Sequence, residues 1–511
     1  MDLPSPAWRP SRAQPPLGEA RLDAALQWLR RGDSERACRQ LEAVLDLEPQ
    51  HLGALNLLAL LAARAGHLER ALALFERSLA LDHGQVGAHC NRGLALQGLK
   101  RAEEALASFD QALALDPRCA EAHFNRANLL REQGRWGEAL SSYDRAIAAR
   151  PEYAEAFCNR GVLLADLRRI EPALASIDRA LALAPQSAAA HVSRAATLLL
   201  MGDFARGWPE YEWRLRLEGG PAAQWTPLRE PVWSGHEDLA GRSILVRSEQ
   251  GLGDTLQFCR YLAPLAAHGA RVVLEVQAPL LTLLAGLPGL AQVLARGSPL
   301  PAFDYWIPLL SLPGRLGVRL ESLSSTRPYL RPDPAQVADW RRRLGPQRGP
   351  RIGLAWSGSA LHPGDAERSL ALADLLPRLP VGAQYVCLQR EVRERDRQPL
   401  VESGVLHVSD GLADFSDTAA LVECLDLILS VDTSVGHLAA ALGRPTWLLL
   451  PFNAAWRWFI GRDDSPWYPS VRLWRQPAPG DWPAVLERVG AALTDWLRAT
   501  SGGAAPPPSA S

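Results

Sequence analysis

The sequence predicts an α plus α/β protein, in which an all-helical solenoid is followed by two Rossmann-like α/β lobes. Three observations support this. A 34-residue period runs through the first two fifths of the 511 residues, strands and helices alternate from about Leu239, and a helix and linker over 331–350 divide the alternating part. A period of that length is typical of stacked helix pairs. Alternating strands and helices are typical of parallel sheets.

Small residues in fixed register set the period. Glycine recurs at one position, and Lys100 and Arg168 occupy the two registers where glycine is missing. The glycines are Gly32, Gly66, Gly134 and Gly202. A small residue recurs in the first helix of each pair, where two helices approach closely: Ala25, Ala59, Gly93, Ala127, Gly161 and Ala195. The pattern resembles the tetratricopeptide repeat (TPR), which implies about six helix pairs over residues 18–220. The last repeat is atypical, and we expect it to cap the solenoid against the next domain.

A polar series interrupts the repeats. Asn91, Asn125 and Asn159 recur at 34 residues, and an arginine follows each of them. In TPR folds this helix lines a concave groove, where an amide can donate to and accept from an extended peptide. The series is similar to the asparagine ladder of eukaryotic O-linked N-acetylglucosamine transferases, which implies a protein or peptide partner. The alternative is that Asn-Arg is repeat consensus and bonds neighbouring repeats.

Composition narrows the classes of function. The net charge is −1, with 47% hydrophobic and 22% charged residues, so neither nucleic acid nor an anionic membrane is indicated as the main partner. No signal peptide or transmembrane run is apparent, and the seven cysteines form no C-x-x-C pair. We expect a cytoplasmic protein with reduced thiols and disordered tails at 1–17 and 501–511.

The α/β part is predicted to form two lobes, at 221–345 and 346–500, with a ligand cleft between them at the carboxyl ends of the strands. In the first lobe strands are predicted at 243–248, 270–276, near Val293 and at 305–308. In the second lobe they are predicted at 351–359, 384–389, 405–410, 427–431 and 445–450. A helix is predicted from Thr255 to about His268, and a last helix from Asp481 to about Thr500.

The first loop of interest, 249–254, joins a strand to a helix. Gly251 and Gly253 permit close backbone approach. The third glycine of a dinucleotide fingerprint falls at Leu256, which argues against a nicotinamide site. Asp254 stands where the helix begins. It is either a helix cap or a general base that faces the opposite lobe.

The second loop, 432–437, also leads from a strand into a helix. Thr433 or Ser434 is expected to cap that helix, whose first N–H groups and positive dipole end then suit a diphosphate. Asp432 precedes the cap, and His437 lies near the start of the helix. A single histidine near the start of a helix more often has a structural role than a functional one, and this is the alternative for His437.

The third loop, 357–369, follows the first strand of the second lobe. Ser357, Gly358 and Ser359 suit phosphate oxygens, and Arg368, next to Ser369, supplies a cation to neutralise them. The alternative is a flexible surface loop.

Together the loops resemble bacterial ADP-heptose lipopolysaccharide heptosyltransferases, glycosyltransferase family 9, which have the two-lobe GT-B fold. The resemblance covers roughly residues 240–495. It rests on Gly253-Asp254 and on D-T-x-x-x-H at Asp432, Thr433 and His437 with HLAAALGRP. It implies a catalytic base at Asp254 and a donor site at the second motif. The whole chain resembles bacterial proteins that fuse TPRs to this domain.

Three positions depart from that family. Ser434 stands where glycine is usual, Gln389 replaces an expected acidic residue, and no lysine is available for the donor, so Arg368 is the suggested substitute. The second half contains no D-x-D triplet, which favours metal-independent stabilisation of the diphosphate by a helix end and Arg368. The aromatic segment 456–474 is expected to pack in the core, with stacking on a nucleotide base as the alternative.

The resemblance therefore implies an inverting, metal-independent glycosyltransferase with no cofactor. It uses a nucleotide-diphosphate sugar as co-substrate, and a hydroxyl of a protein held in the TPR groove is a candidate acceptor. In this hypothesis Asp254 is catalytic and Gly251 and Gly253 contact the acceptor. The predicted donor-binding residues are Ser357, Gly358, Ser359, Arg368, Ser369, Gln389, Asp432, Thr433, Ser434 and His437. Two alternatives stay open: a TPR scaffold with a catalytically degenerate domain, and transfer to a glycan.

Overall fold

The structure is a computed structural model that describes residues 17–325, 327–362 and 364–501. These residues form two compact units. The first runs to Ala165 and includes Glu171–Pro185, and the second contains Asp166–Ile170 and everything from Gln186 onward. The tails predicted at 1–17 and 501–511 lie outside the described residues, except that Leu17 and Ser501 belong to helices.

Residues 17–211 form helices in six consecutive pairs, as the 34-residue period predicts. The helices are α1 Leu17–Arg30, α2 Ser34–Leu47, α3 Leu52–Arg64, α4 Leu68–Leu81, α5 Val86–Gly98, α6 Ala102–Leu115, α7 Ala120–Glu132, α8 Trp136–Ala149, α9 Ala154–Asp166, α10 Ile170–Leu183, α11 Ala188–Leu200 and α12 Phe204–Tyr211. The predicted small positions sit at helix contacts. A Cβ on Gly93 would lie 2.5 Å from the Phe109 ring, and one on Gly161 would lie 2.5 Å from Ile177.

The glycine register is a left-handed turn in every repeat. Lys100 and Arg168 adopt the same backbone, with φ of 62° and 58°. The glycines have φ between 73° and 82°: Gly32, Gly66, Gly134 and Gly202. Glycine is favoured there because it has no Cβ to clash with the following carbonyl. The two charged residues keep the turn at a conformational cost.

Two parallel sheets form the framework of the second unit. The strands are β1 Ser243–Arg247, β2 Arg271–Val276, β3 Leu290–Ala295, β4 Tyr305–Pro308, β5 Arg351–Ala355, β6 Gln384–Cys387, β7 Leu406–His407, β8 Leu427–Val431, β9 Thr446–Leu450 and β10 Val471–Arg475. Their order is β3-β2-β1-β4 in one sheet and β10-β9-β8-β5-β6-β7 in the other. Each of the nine strand positions predicted from the sequence holds a strand, and β10 is an addition.

Helices of 4 to 20 residues accompany the sheets. They are α13 Leu252–Phe258, α14 Leu262–Ala266, α15 Leu281–Ala285, α16 Leu312–Arg315, α17 Pro334–Leu344, α18 Asp365–Arg368, α19 Leu372–Leu375, α20 Glu394–Glu402, α21 Phe415–Glu423, α22 Ser434–Ala441 and α23 Trp482–Ser501. The single helix predicted from Thr255 to His268 is wrong. It begins at Leu252 and breaks at Cys259–Tyr261, because Pro264 cannot donate to the carbonyl four residues earlier.

The atypical sixth repeat belongs to the second unit and packs against its other elements. This agrees with the expectation that the last repeat contacts the next domain. The Trp208 indole donates to the Val318 carbonyl at 3.1 Å. Arg214, in a 3₁₀ turn after α12, forms a buried bidentate pair with Glu249 at 2.6 and 3.0 Å. Burial disfavours the Arg214 charge, but Glu249 overcomes this and raises the pKa of Arg214. The cap thereby fixes the start of the first loop.

No helix in the described ranges has the combination of length and apolar character that crossing a membrane requires.

Candidate functional site

The second and third loops meet at the switch point of the six-stranded sheet. β5 pairs with β8 in parallel, and the strand order runs outward from this pair in opposite directions. Loops that leave the carboxyl ends of two such strands flank a crevice, where ligands bind in open α/β sheets. The sequence therefore places the second and third loops at the expected binding edge.

Asp254 connects two elements. It is the third residue of α13, and one carboxylate oxygen accepts the Gly251 N–H at 2.9 Å. The other oxygen pairs with Arg457, which lies in the loop after β9. The Asp254 side chain is 19% exposed and that of Arg457 is 12% exposed, so the pair is largely shielded from water. Asp254 is thus a helix cap that also faces the second sheet's loops.

Gly253 allows α13 to approach α22. A Cβ at this position would lie 2.9 Å from the His437 ring, so only glycine fits without displacement. His437 is the fourth residue of α22, and its Nδ1 lies 3.0 Å from the Tyr468 hydroxyl. Its ring stacks on Trp458 at a centroid distance of 5.1 Å. Burial, together with nearby arginines, lowers the pKa of His437 to about 3, so the imidazole is neutral at physiological pH.

The N-terminus of α22 has no side-chain cap. Thr433 is the N-cap residue, but its side chain does not cap the helix, and its hydroxyl lies 3.1 Å from that of Ser430. The first N–H groups of α22, from Ser434 onward, therefore lack a side-chain acceptor from the cap. Asp432 lies beside them, with its carboxylate 3.8 Å from His437 Nε2. Burial raises the pKa of Asp432, although Arg368 and Arg457 oppose the shift.

Arg368 joins the second and third loops. Its Nη1 donates to the Asp432 carbonyl at 2.9 Å, and its guanidinium packs on Gly358. Nε is buried 3.7 Å from the Asp365 carboxylate and makes no hydrogen bond within the described residues. The guanidinium thus reaches the residue before α22 through Nη1, while Nε faces Asp365. Burial and the Arg368 charge lower the pKa of nearby His362.

Other predicted donor residues hold the third loop in shape. Gln389 accepts the N–H groups of Trp356 and Ser357 at 2.9 Å each and donates to the Ser357 hydroxyl at 2.8 Å. Ser369 accepts the Gly358 N–H at 3.0 Å. Ser359 is exposed. The polar atoms of Gln389 are thus occupied within the loop, and donor contact by these residues stays a prediction.

Arg457 is the residue that sequence reasoning missed. It lies in the aromatic segment 456–474, where the only signal was a charged side chain between two tryptophans. Burial disfavours its charge, but Asp254 outweighs that effect and raises the pKa of Arg457. The aromatic residues around it belong to the core, since Trp458 and Trp467 are 1% and 0% exposed. The structure favours core packing over base stacking for this segment.

In the first unit the asparagine and arginine positions behave differently. Asn159 donates to Asn128 at 2.9 Å, whereas Asn91 and Asn125 are half-buried and make no side-chain hydrogen bond in the described part of the chain. Each following arginine bonds residues 16 positions before and after it. The bonded pairs are Arg92 with Glu76 and Ser108, Arg126 with Asp110 and Ser142, and Arg160 with Asp144 and Ser176. The arginines therefore link neighbouring repeats, which was the alternative for Asn-Arg.

The fold and the site define a class: a tandem helical-repeat protein with a parallel α/β unit whose switch point carries arginines and a helix N-terminus without a side-chain cap. Comparison with protein families refines this class. The tetratricopeptide repeat model matches residues 21–85, 90–154 and 125–188. The model for glycosyltransferase family 9 (heptosyltransferase) matches residues 411–449, which include the second loop. The N-terminal part of the chain therefore carries TPR repeats, and a short C-terminal stretch matches this glycosyltransferase family.

Among curated proteins, Protein FlbA of Caulobacter vibrioides is 30% identical over 336 residues, or 60% of this chain. The chain spans 54%, about half, of the length of that relative. Among solved structures, a thermophilic TPR protein of Thermus thermophilus is 25% identical, with a TM-score of 0.32. The match covers 36% of this chain and 99% of the Thermus protein. MamA of Desulfovibrio magneticus RS-1 is 19% identical, with a TM-score of 0.32. That match covers 34% of this chain and 99% of the MamA chain.

Proposed function

We propose that the second unit is an inverting glycosyltransferase that moves a sugar from a nucleotide-diphosphate donor to a hydroxyl. The observation that carries the proposal is that Asp254 on α13 pairs with Arg457, while α13 packs on α22, whose uncapped start lies beside Arg368. Such a transfer requires a carboxylate that accepts the proton of the acceptor, and donors and cations that stabilise the departing diphosphate.

The transfer is a single displacement at the anomeric carbon. Asp254 accepts the proton of the acceptor hydroxyl while that oxygen forms a bond to the anomeric carbon. The bond from this carbon to the diphosphate breaks, and the electron pair leaves with the diphosphate. The amides of α22, Arg368 and Arg457 stabilise the developing negative charge. In this proposal, Arg368 and Arg457 take the place of the donor-contacting lysine of the heptosyltransferases. That the reaction needs no metal ion stays a prediction.

The acceptor we propose is a side-chain hydroxyl of a protein that the TPR groove binds. Asn91 and Asn125 support this, because their amides make no bond within the described chain and remain available to a peptide backbone. Asn159 is a weaker candidate, since it already donates to Asn128. Transfer to a glycan is the competing acceptor class, and a peptide pull-down that responds to substitution of Asn91 and Asn125 separates the two.

The test of the chemistry compares donor hydrolysis and transfer by the wild type and by Asp254→Asn. The asparagine keeps an oxygen for the Gly251 N–H, so helix capping is retained while the base is removed. We expect transfer to fall by about two to four orders of magnitude, as for loss of a general base. Asp333→Asn is the matched control, because Asp333 caps α17 in the same unit by accepting the Ala335 N–H at 2.8 Å. Equal rates for Asp254→Asn and wild type would remove Asp254 from the mechanism.

One observation favours a second function, a protein-binding scaffold with a degenerate catalytic domain. Both carboxylate oxygens of Asp254 are occupied, one by Gly251 and one by Arg457. Titration with a panel of nucleotide sugars decides between the two functions. A glycosyltransferase gains stability from its own donor, whereas a scaffold gains none from any donor.

A further inference from the structure

We propose that Arg168 is a positioning residue for the transfer reaction, holding the loop from Pro451 to Phe459 so that Arg457 reaches Asp254. The inference rests on the proposed function. Arg168 belongs by sequence to the turn of the fifth repeat, but its segment Asp166–Ile170 is part of the second unit.

Two contacts connect Arg168 to the start of that loop. Its Nη2 donates to the Phe452 carbonyl at 2.6 Å, and its guanidinium carbon lies 3.9 Å from the centroid of the Phe452 ring. The Phe452 N–H in turn donates to Gln476 at 3.1 Å. Phe452 is therefore held at its carbonyl, its ring and its amide, five residues before Arg457.

Arg168 has an unfavourable backbone conformation and a partly buried charge, and neither is needed to form the turn of the repeat. Four of the six repeats place glycine at this left-handed turn, and Arg168 has φ of 58° without that freedom. Burial lowers the pKa of Arg168, and no carboxylate within the described residues compensates its charge. What distinguishes Arg168 from a glycine at this turn is its pair of contacts with Phe452, which a residue without a side chain cannot make.

A second arginine, Arg475, holds the other end of this loop. Burial, Arg168 and Arg462 lower the pKa of Arg475 to about 10, and Asp432 opposes them. Arg475 donates to the Trp458 carbonyl, next to Arg457. The loop is thus held at Phe452 by Arg168 and at Trp458 by Arg475, with Arg457 presented between these anchors.

The same register provides a matched control. Lys100 has φ of 62° at the equivalent turn of the third repeat, and its side chain is exposed. Arg168→Gly and Lys100→Gly therefore make the same backbone change, relieve the same strain and remove one cation each. They differ in that only Arg168 contacts the loop after β9.

The first experiment is amide hydrogen exchange of full-length protein, followed in peptides that cover 452–459. We expect exchange in this loop to be about tenfold faster in Arg168→Gly, the effect of losing one charge-assisted hydrogen bond on local opening. Lys100→Gly should leave the loop unchanged. Unchanged exchange in Arg168→Gly, or equal acceleration in both variants, would overturn the assignment.

The second experiment measures transfer kinetics. We expect kcat to fall about tenfold in Arg168→Gly with KM for the donor changed less than about threefold, because the lost alignment concerns Arg457 and the reacting groups. Arg168→Lys keeps the charge and one donor and should recover part of the rate. If the wild type transfers no sugar, the proposed function fails, but the exchange comparison still decides whether Arg168 holds the loop. Normal kcat in Arg168→Gly with an active wild type would contradict this inference alone.

Discussion

Asp254 is held by residues of two different origins, Gly251 from its own loop and Arg457 from the loop after β9. The sequence presented cap and general base as alternatives. The structure shows the cap, because one carboxylate oxygen accepts the Gly251 N–H, and it pairs the other oxygen with Arg457. The role of general base stays a prediction. Single-residue roles at this site are therefore best separated by substitutions that keep shape and change charge.

His437 gives a pH-dependent test at this scale. Since burial lowers its pKa to about 3, the unfolded chain binds the proton first, and stability is lost as pH falls from about 6.5 toward 3. Between about pH 6.5 and pH 5, this histidine should lower the free energy of unfolding by about 2 kcal/mol. Denaturant unfolding of His437→Asn should show a correspondingly flatter acid limb. The control is His407→Asn, an exposed position; identical acid limbs for His437→Asn and wild type would contradict the burial argument.

Lys100 provides a stability test that is independent of the site. Its side chain is exposed, and its φ of 62° is the conformation that glycine adopts freely. We expect Lys100→Gly to stabilise the protein by roughly 0.5–1 kcal/mol, the relief of left-handed strain less the added entropy of the unfolded chain. Thermal unfolding measures this. A lower melting temperature than that of the wild type would show that the lysine side chain matters more than its backbone.

At the scale of elements, the contact between α13 and α22 brings the two loops together. It depends on Gly253, where a side chain would meet the His437 ring at 2.9 Å. His437 has little room to retreat, because it lies between Tyr468 and Trp458. Helix spacing here is therefore set by a residue that makes no polar contact of its own.

Gly253→Ala tests this spacing. We expect a loss of about 1–3 kcal/mol in stability, the usual cost of overpacking, and a fall in transfer rate as α13 carries Asp254 away from α22. Gly286→Ala is the control in the same unit, since its Cβ would meet only Leu283 at an ordinary 3.7 Å. Full activity with wild-type stability in Gly253→Ala would show that the helices adjust freely.

The arginines of the repeats give the corresponding test in the first unit. Arg126 bonds Asp110 at 2.7 Å and Ser142 at 2.9 Å, and so links two repeats. Arg126→Gln should lower stability by about 1 kcal/mol, since a partly buried charged hydrogen bond is lost. Arg118→Gln, at an exposed position, should change it by less than about 0.5 kcal/mol. Equal effects in urea denaturation would argue against arginine links between the repeats.

Elements with strong local patterns were predictable, and those fixed by distant contacts were not. β8 and β4 match their predicted bounds because short apolar runs between turn residues specify buried strands. β10 was missed because its pattern, V-R-L-W-R, lies in an aromatic segment that suggested core packing without a strand. The Asp254–Arg457 pair joins positions 203 residues apart, and nothing local to either position encodes such a contact.

At the scale of the whole molecule, the chain combines two units with different kinds of order. The first is a stack in which each repeat depends on its neighbours. The second has long-range strand pairing and a core that runs from the four-stranded sheet to the six-stranded one. In the proposed function, a donor bound in the second unit would therefore stabilise that unit, and a peptide bound to the repeats would stabilise the stack.

Hydrogen exchange with a stabilising donor tests this division. At a donor concentration of about 100 Kd, binding contributes about 2.7 kcal/mol to the unit that holds the site. We expect slower exchange in the peptides of 252–258 and 432–441, which carry the two facing loops, and unchanged exchange in the repeats of residues 17–165. Asp254→Asn should retain this protection, because in the proposed function the donor is bound by Arg368 and the α22 terminus, whereas Arg368→Gln should lose it. Protection confined to the repeats would locate the donor elsewhere and leave the switch-point crevice without its proposed ligand.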